Sequence, residues 1–151
     1  MFHLTKEGIP YGTIILGSRA TWLDRHAAEE LRSYVKKLSG AILIITHERY
    51  ASSIEGGKIL IGRVSTSDIV GAFAAHYPDV LPEESDTEND CVAYAVRGDT
   101  LVISGSNDRS VYYSVCHLLQ TEFGVGFYWD RDVFEKKRSL SLPDGLTLQE
   151  R

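Results

Sequence analysis

Little in this chain could cross-link it, anchor it in a membrane or draw it onto a nucleic acid. Cysteine occurs twice, at Cys91 and Cys116, which is too sparse for a disulfide framework. Two buried free thiols are the expectation, since free cysteine is among the most buried residue types. Positive charge is in deficit: 16 Lys and Arg against 21 Asp and Glu give a net charge of −5. That balance excludes the basic face of a nucleic-acid binder and offers no attraction to anionic lipid. No apolar run approaches the roughly twenty residues of a membrane-spanning helix. The N-terminal stretch MFHLTKEGIPYGTIILGS has neither the charged start nor the apolar run of a signal peptide. The chain therefore reads as cytoplasmic, with secretion still open if a leader has been trimmed away. Internal repeats and low-complexity tracts are also missing. Acidic residues gather in DVLPEESDTEND, residues 79–90, which reads as a solvated loop.

Several catalytic signatures are missing as well. No stretch matches G-x-x-x-x-G-K-S/T, and GVG at 124–126 leads into aromatics instead of a helix, so both nucleotide fingerprints fail. HAAEE, 26–30, comes near a metalloprotease helix, but Glu30 stands where either arrangement needs its closing histidine. One histidine cannot hold zinc, so no metal and no cofactor are expected. There is no G-x-S-x-G. Cys116 and His117 are neighbours on a helix, so their side chains diverge by about 100° and cannot act as nucleophile and base.

What is present is a regular alternation of element types. YGTIILG, 11–17, is a short β-branched run and reads as a strand. TWLDRHAAEELRSYVKKLSG comes next, with Ala27, Ala28, Leu31, Val35 and Leu38 at helical spacing, Thr21 as N-cap and Gly40 as C-cap. AILIIT, 41–46, predicts a strand buried on both faces or nearly so. GGKILIGR, 56–63, is another strand, and STSDIVGAFAAHY a shorter helix ended by Pro78. CVAYAVRGDTLVISG predicts a hairpin about its RGD. The next helix carries Val111, Val115, Leu118, Leu119 and Phe123 on one face. GFYW, 126–129, reads as a short extended segment and SLSLP, 139–143, as an edge strand. The order predicts an α+β domain, a mixed β-sheet packed with about three helices, because each helix has one apolar stripe to cover.

Three features invite a functional reading. SGSNDRS, 104–110, joins a strand to a helix, where free N–H groups could take an anion; Ser106 or Asn107 capping that helix explains it equally. Asp130 and Asp132, if extended, would point to the same side about 6–7 Å apart, a placement that suits a glycosidase pair. Salt bridges to Arg131 or Arg109, or turn capping, are the ordinary alternative. Phe127, Tyr128 and Trp129 alternate, so one face can fill a core while the other meets a sugar, a second domain or another subunit.

The ordered set HAAEELRSYVKKLSG, KILIGR and VRGDTLVISGSNDRSVYYSVCHLLQTEFGVGFYW carries a resemblance. Ala27, Ala28, Glu30, Leu31, Tyr34 and Gly40 match in the first helix, Ile61 and Gly62 in the strand KILIGR, and Gly98, Asp99, Leu101, Ile103 and Gly105 in the hairpin. Arg109, Tyr113, Val115, Leu119, Gln120, Gly124, Val125, Tyr128 and Trp129 match beyond it. Over residues 12–140 the chain resembles the small α/β domain that precedes the catalytic barrel in glycoside hydrolases of the beta-N-acetylhexosaminidase and alpha-glucuronidase type. Ser110 stands where that family often has glycine, and FYWDRD departs from its usual R-W-Y/F-x-P ending. The resemblance implies a zincin-like fold lacking the metal site. It implies an accessory, non-catalytic domain over residues 1–140, with 141–151 starting a linker towards a missing catalytic domain. The catalytic acids would lie on a (β/α)8 barrel of the same parent protein, and none in this chain. Asn107, Arg109, Tyr128, Trp129 and Asp130 are the candidates for the domain interface or the substrate rim. Two rival expectations stand beside it: a stand-alone carbohydrate-binding module stacking sugar on Tyr128 and Trp129, and a small hydrolase using Asp130 and Asp132.

Overall fold

Strand β3 (Gly12–Leu16) runs parallel to β4 (Ile45–His47) on one side and to β5 (Gly57–Ile61) on the other, and β5 runs parallel to β7 (Thr100–Gly105). The computed structural model describes residues 1–85 and 90–151; part of the expected acidic loop, 86–89, lies outside the described residues. Strand β6 (Val92–Arg97) pairs antiparallel with β7 through the two-residue turn Gly98–Asp99, as RGD predicted. With β11 (Thr147–Glu150) as an outer strand, the six-stranded mixed sheet has the order β11-β6-β7-β5-β3-β4. Helices α1 (Trp22–Ser39) and α3 (Asp108–Phe123) cover one face; α2 (Asp68–His76) and a 3-10 segment (Glu48–Ser53) cover the other.

Strand alternation explains both cores. Ile14, Ile59, Ile61, Tyr94, Val96, Leu101 and Ile103 face α1 and α3, where Leu31, Val35, Leu38, Val111, Val115, Leu118 and Phe123 meet them. Ile15, Leu60, Ala95 and Val102 face Val70 and Phe73 of α2. Each fully buried aliphatic side chain here stabilises the fold by about 1.5–3 kcal/mol. Helix α1 begins and ends at its expected caps, Thr21, which closes a capping box, and Gly40; α3 is capped by Asn107, one of the two residues expected, and ends at Gly124, which like Gly40 is left-handed.

Three parts of the chain depart from expectation. AILIIT is not a doubly buried strand. Only Ile45–His47 is strand, at the sheet edge; Ala41 and Leu43 turn inward while Ile42 and Ile44 are exposed. Side chains alternate in direction along such a run, and here the set with Leu43 joins the core under α1 while the other set is left uncovered. The N-terminus, unassigned from sequence, forms β1 (Phe2–Lys6) and turns at Glu7–Gly8 into β2 (Ile9–Pro10). Both turn residues have positive φ, 52° and 78°, which is the two-residue hairpin geometry that favours glycine. The tail also behaves differently from the start of a linker. SLSLP does form the expected edge strand, β10 (Leu140–Leu142), antiparallel to β1, but Thr147–Glu150 then forms β11, the outer strand beside β6. Leu140 and Leu142 are buried. Residues 141–151 are thus woven into two sheets.

Candidate functional sites

In open sheets with parallel strands, ligands settle outside the carboxyl ends of the strands where the strand order reverses. Here that point lies between β3 and β5. The chain itself occupies it. Glu48, at the start of the 3-10 segment, presents its carboxylate to the backbone N–H of Ser18, to that of Ile69 at 2.9 Å and to that of Asp68 at 3.3 Å. These donors come from the loop after β3 and from the first turn of α2, the groups that would otherwise hold an anionic ligand. Gly17 seals the crevice from within: a β-carbon there would overlap the Thr66 carbonyl oxygen and the Ser67 Cα, so the two loops touch backbone to backbone.

Around this plug many polar groups are spent on one another, although the buried Asp24 Oδ1 and Arg63 Nε have no hydrogen-bond partner among the described residues. Asp24, fully buried in the first turn of α1, accepts from the Thr21 backbone N–H at 3.1 Å. Burial pushes its carboxyl above the ordinary range, and bonds from the Thr21 backbone and the Thr66 hydroxyl oppose that rise. Arg63 bridges Glu84, at 3.0 Å, and Asp108, tying the loop before β6 to the start of α3. Among the described residues, no group of three or more His, Cys, Asp or Glu side chains is arranged to share an ion.

The start of α3 resolves the two readings of SGSNDRS. Asn107 is 3% exposed; its side chain caps Ser110 N–H at 2.9 Å, and the Ser110 hydroxyl accepts from Asn107 N–H at 2.9 Å. The donors are used by the chain itself, so the stretch is a capping box. Asn107 and Arg109 both reach Asp90, whose carboxyl is held below its ordinary range by the Asn107 bond and then by the Arg109 bond. Asn107, a candidate for an interface or rim, instead lies buried within its own helix start.

The aromatic exit segment does not continue extended. It folds back as a hairpin, β8 (Gly126–Phe127) against β9 (Asp132–Val133), with a tip of Tyr128, Trp129, Asp130 and Arg131. The turn separates Asp130 from Asp132, so the two carboxylates do not sit side by side on a strand. Asp132 accepts a hydrogen bond from the Tyr34 hydroxyl of α1; burial and that bond raise the phenol. Phe127 packs edge-on against Tyr34, with ring centroids 5.3 Å apart. Trp129 is 99% exposed and Tyr128 is exposed. The 16 residues of α3 span about 24 Å at 1.5 Å each. They place Asn107 and Arg109 at one end, and Tyr128, Trp129 and Asp130 beyond the other. The five candidates therefore form two groups.

One group went unseen in the sequence. Trp22 and His26 of α1 and Tyr112 of α3 stack in series, with centroid spacings of 5.1 Å at each step and interplanar angles of 8° and 20°. With Leu23, Arg109 and Tyr113 they line a shallow cleft of about 300 Å³. Trp22 to His26 is an i, i+4 step, which was the available signal; the pairing of that face with Tyr112 depends on how α1 lies beside α3. Both thiols are free, Cys91 buried and Cys116 partly so, and burial pushes the Cys116 thiol up.

No helix among the described residues is long and apolar enough to cross a membrane. No family model matches the chain, and no curated protein matches it. Comparison with solved structures aligns the chain with parts of glycoside hydrolase chains. One is "a novel family GH115 4-O-Methyl-alpha-glucuronidase, BtGH115A, with specificity for decorated arabinogalactans", aligned over 100% of this chain and 18% of its own, at 15% identity and a TM-score of 0.68. CpGH84D aligns over 74% of this chain and 17% of its own, at 14% identity and a TM-score of 0.46. This chain thus spans less than a fifth of the length of either. At such low identity the likeness is one of fold: the mixed α+β sheet seen here also occurs as a small part of a larger glycoside hydrolase.

Proposed function

We propose that this chain is a non-catalytic accessory domain of a larger carbohydrate-active enzyme, a glycoside hydrolase of the alpha-glucuronidase or beta-N-acetylhexosaminidase type. It packs against a separate catalytic (β/α)8 barrel and shapes that barrel's rim. Its body is then the metal-free, zincin-like fold that the sequence resemblance implies. The observation that carries the reading is the outer surface of the α1–α3 layer. Trp22 and Tyr113 near the helix starts, and Phe127, Tyr128 and Trp129 on the hairpin, are all exposed there. Large exposed aromatic groups on one side of a domain are characteristic of a surface that meets another. At the point of strand-order reversal, by contrast, the Glu48 carboxylate already takes the backbone donors of Ser18, Asp68 and Ile69. The fold shared over its full length with part of BtGH115A supports the same reading.

The test is to read the gene beyond codon 151 and to express this chain together with the segment encoded downstream of it. A barrel-coding segment, and slowed amide exchange around Trp22, Tyr113 and residues 126–133 in the longer protein, are expected. Absence of such a segment overturns the proposal. The nearly complete exposure of Trp129 also favours a second reading, a stand-alone carbohydrate-binding module with Tyr128 and Trp129 as its platform. Tryptophan fluorescence titrated with oligosaccharides decides it; an unchanged spectrum rejects it.

A further inference from the structure

Of the sixteen cationic side chains, Arg19, Arg32, Lys58, Arg63 and Arg109 each have a carboxylate within 4 Å. Lys36, Lys37 and Lys136 are among the eleven that have none among the described residues, and what sets these three apart is that they border one concavity. It measures about 520 Å³, is completed by Ser33 and Phe134, and has no acid in its lining. Its size falls within the usual range for small-molecule sites.

Two segments distant in sequence build it. Ser33, Lys36 and Lys37 lie on the outward side of α1 near its end. Phe134 and Lys136 belong to the strand-like run after the hairpin, which is pinned to α1 by the Lys137 N–H donating to the Leu38 carbonyl at 2.8 Å. Lys37 is held over the Tyr34 ring, 4.4 Å from its centroid. Of the nearby acids, Asp132 is bonded to Tyr34, Glu29 is paired with Arg32 and Glu135 lines the adjoining hollow with Phe123 and Val133, while Glu30 on α1 acts on Tyr34 without lining the concavity. Lys36 and Lys37 also complement the negative end of the helix dipole. That role does not account for Lys136, which comes from another segment, or for the apolar Phe134 between the charges.

We propose that this cleft binds a carboxylate-bearing saccharide, a chain containing uronic acid. The lysines meet the carboxylates, Phe134 meets the apolar face of a pyranose ring, and the Ser33 hydroxyl is placed to bond a sugar hydroxyl. Charge selects an anion, and the small concave shape with one aromatic wall favours a sugar over a broad protein surface, which needs about 800 Å² on each partner. The saccharide part of the proposal rests on the carbohydrate-active reading above. The cleft lies beside the hairpin, so in the parent enzyme it would supply a cationic contact at the edge of the interface.

The experiment titrates the chain, by NMR and calorimetry, with an oligogalacturonate, its neutral methyl ester, polyglutamate and inorganic phosphate. Expected is binding of the oligogalacturonate alone, with shifts at Ser33, Lys36, Lys37 and Lys136 and an affinity that falls as salt rises. Lys36→Ala combined with Lys136→Ala should weaken it about tenfold or more, as losing two charge-assisted hydrogen bonds would. Phe134→Ala should weaken the saccharide without creating phosphate binding. Any one of three results overturns the proposal: no response to oligogalacturonate, equal binding of the ester, or equal or better binding of polyglutamate or phosphate. None of these touches the accessory-domain reading, which depends on the gene and on the aromatic surface.

Discussion

The two sides of this domain differ in how far they are finished. At the carboxyl ends of the parallel strands, several backbone donors are matched by acceptors from the same chain, while the buried Arg63 Nε and Asp24 Oδ1 have no hydrogen-bond partner among the described residues. Glu48 fills the reversal point, Asn107 and Ser110 close α3, and Arg63 binds two acids. Across the outer surface of α1, α3 and the hairpin, the chain leaves five large aromatic groups exposed and three lysines unpaired. A doubly wound sheet normally binds at the first location. Here that location is consumed in holding the domain together, and the capacity to bind lies with the helical surface. Substitutions on the first side should therefore cost stability, and those on the second should cost association alone.

The largest effect belongs to Gly17→Val. The side chain would meet backbone atoms of Thr66 and Ser67, which cannot yield as a flexible side chain could. A loss of about 3 kcal/mol or more is expected, read from denaturant unfolding. A variant as stable as the parent would mean that the loops are not closed upon each other.

Glu48→Ala comes next. It strands three backbone N–H groups at a partly exposed position, a cost of about 1–3 kcal/mol. Because the vacated place is the natural anion site of such a sheet, sulfate should restore more stability to the variant than it adds to the parent protein. Equal sulfate shifts in the two melting temperatures would show that Glu48 is an ordinary surface acid.

A smaller, pH-dependent effect is expected at Asp24. Its carboxyl is raised by burial, so the folded state favours the protonated form more than the unfolded chain does. The stability this gives is complete below the unfolded carboxylate pKa and is lost as pH rises through the raised one. Asp24→Asn can keep the Thr21 bond and removes the titration. The stability of the variant relative to the parent should therefore climb from acid towards neutral pH. A flat difference across that range would place the charge of Asp24 in a better solvated setting than its burial implies.

The same contrast marks what was readable in the sequence. Local chemistry was legible wherever one short stretch contained the whole signal. Thr21 with Asp24, Gly40, Asn107 with Ser110 and the RGD turn each fixed an element end. Long-range pairing was not. The strand FHLTK finds its partner about 135 residues later, and TLQE joins the main sheet beside Val92–Ala95. Neither run is apolar enough to stand out without its neighbour. The fold of FYWDRDV escaped notice because the one turn-favouring residue in Tyr128–Arg131, Asp130, has no glycine, asparagine or proline beside it and also suits a paired-carboxylate reading. AILIIT misled because an apolar run does not tell an edge from a centre. Of the five candidate site residues, Asn107 was also legible as a cap. The Trp22–His26–Tyr112 stack and the lysine cleft each join two distant segments, and composition carries no trace of that.

Trp129→Ala should show the smallest stability change and therefore gives the sharpest version of the comparison. Its side chain is 99% exposed, so removing it should shift stability by no more than about 0.5 kcal/mol. Phe123→Ala, a few residues earlier but buried under the same helix layer, should cost about 3–5 kcal/mol. The chain has two tryptophans, Trp22 and Trp129, and both are exposed. Their emission in the isolated chain should be that of solvated indole and fully open to a collisional quencher such as iodide. In the longer protein, quenching of Trp129 should fall sharply if the hairpin seats against a neighbour, and Trp129→Ala should then weaken the union of the two domains without loosening either. Undiminished quenching there, with both domains folded, would leave the hairpin in water and return the aromatic surface to the search for a free ligand.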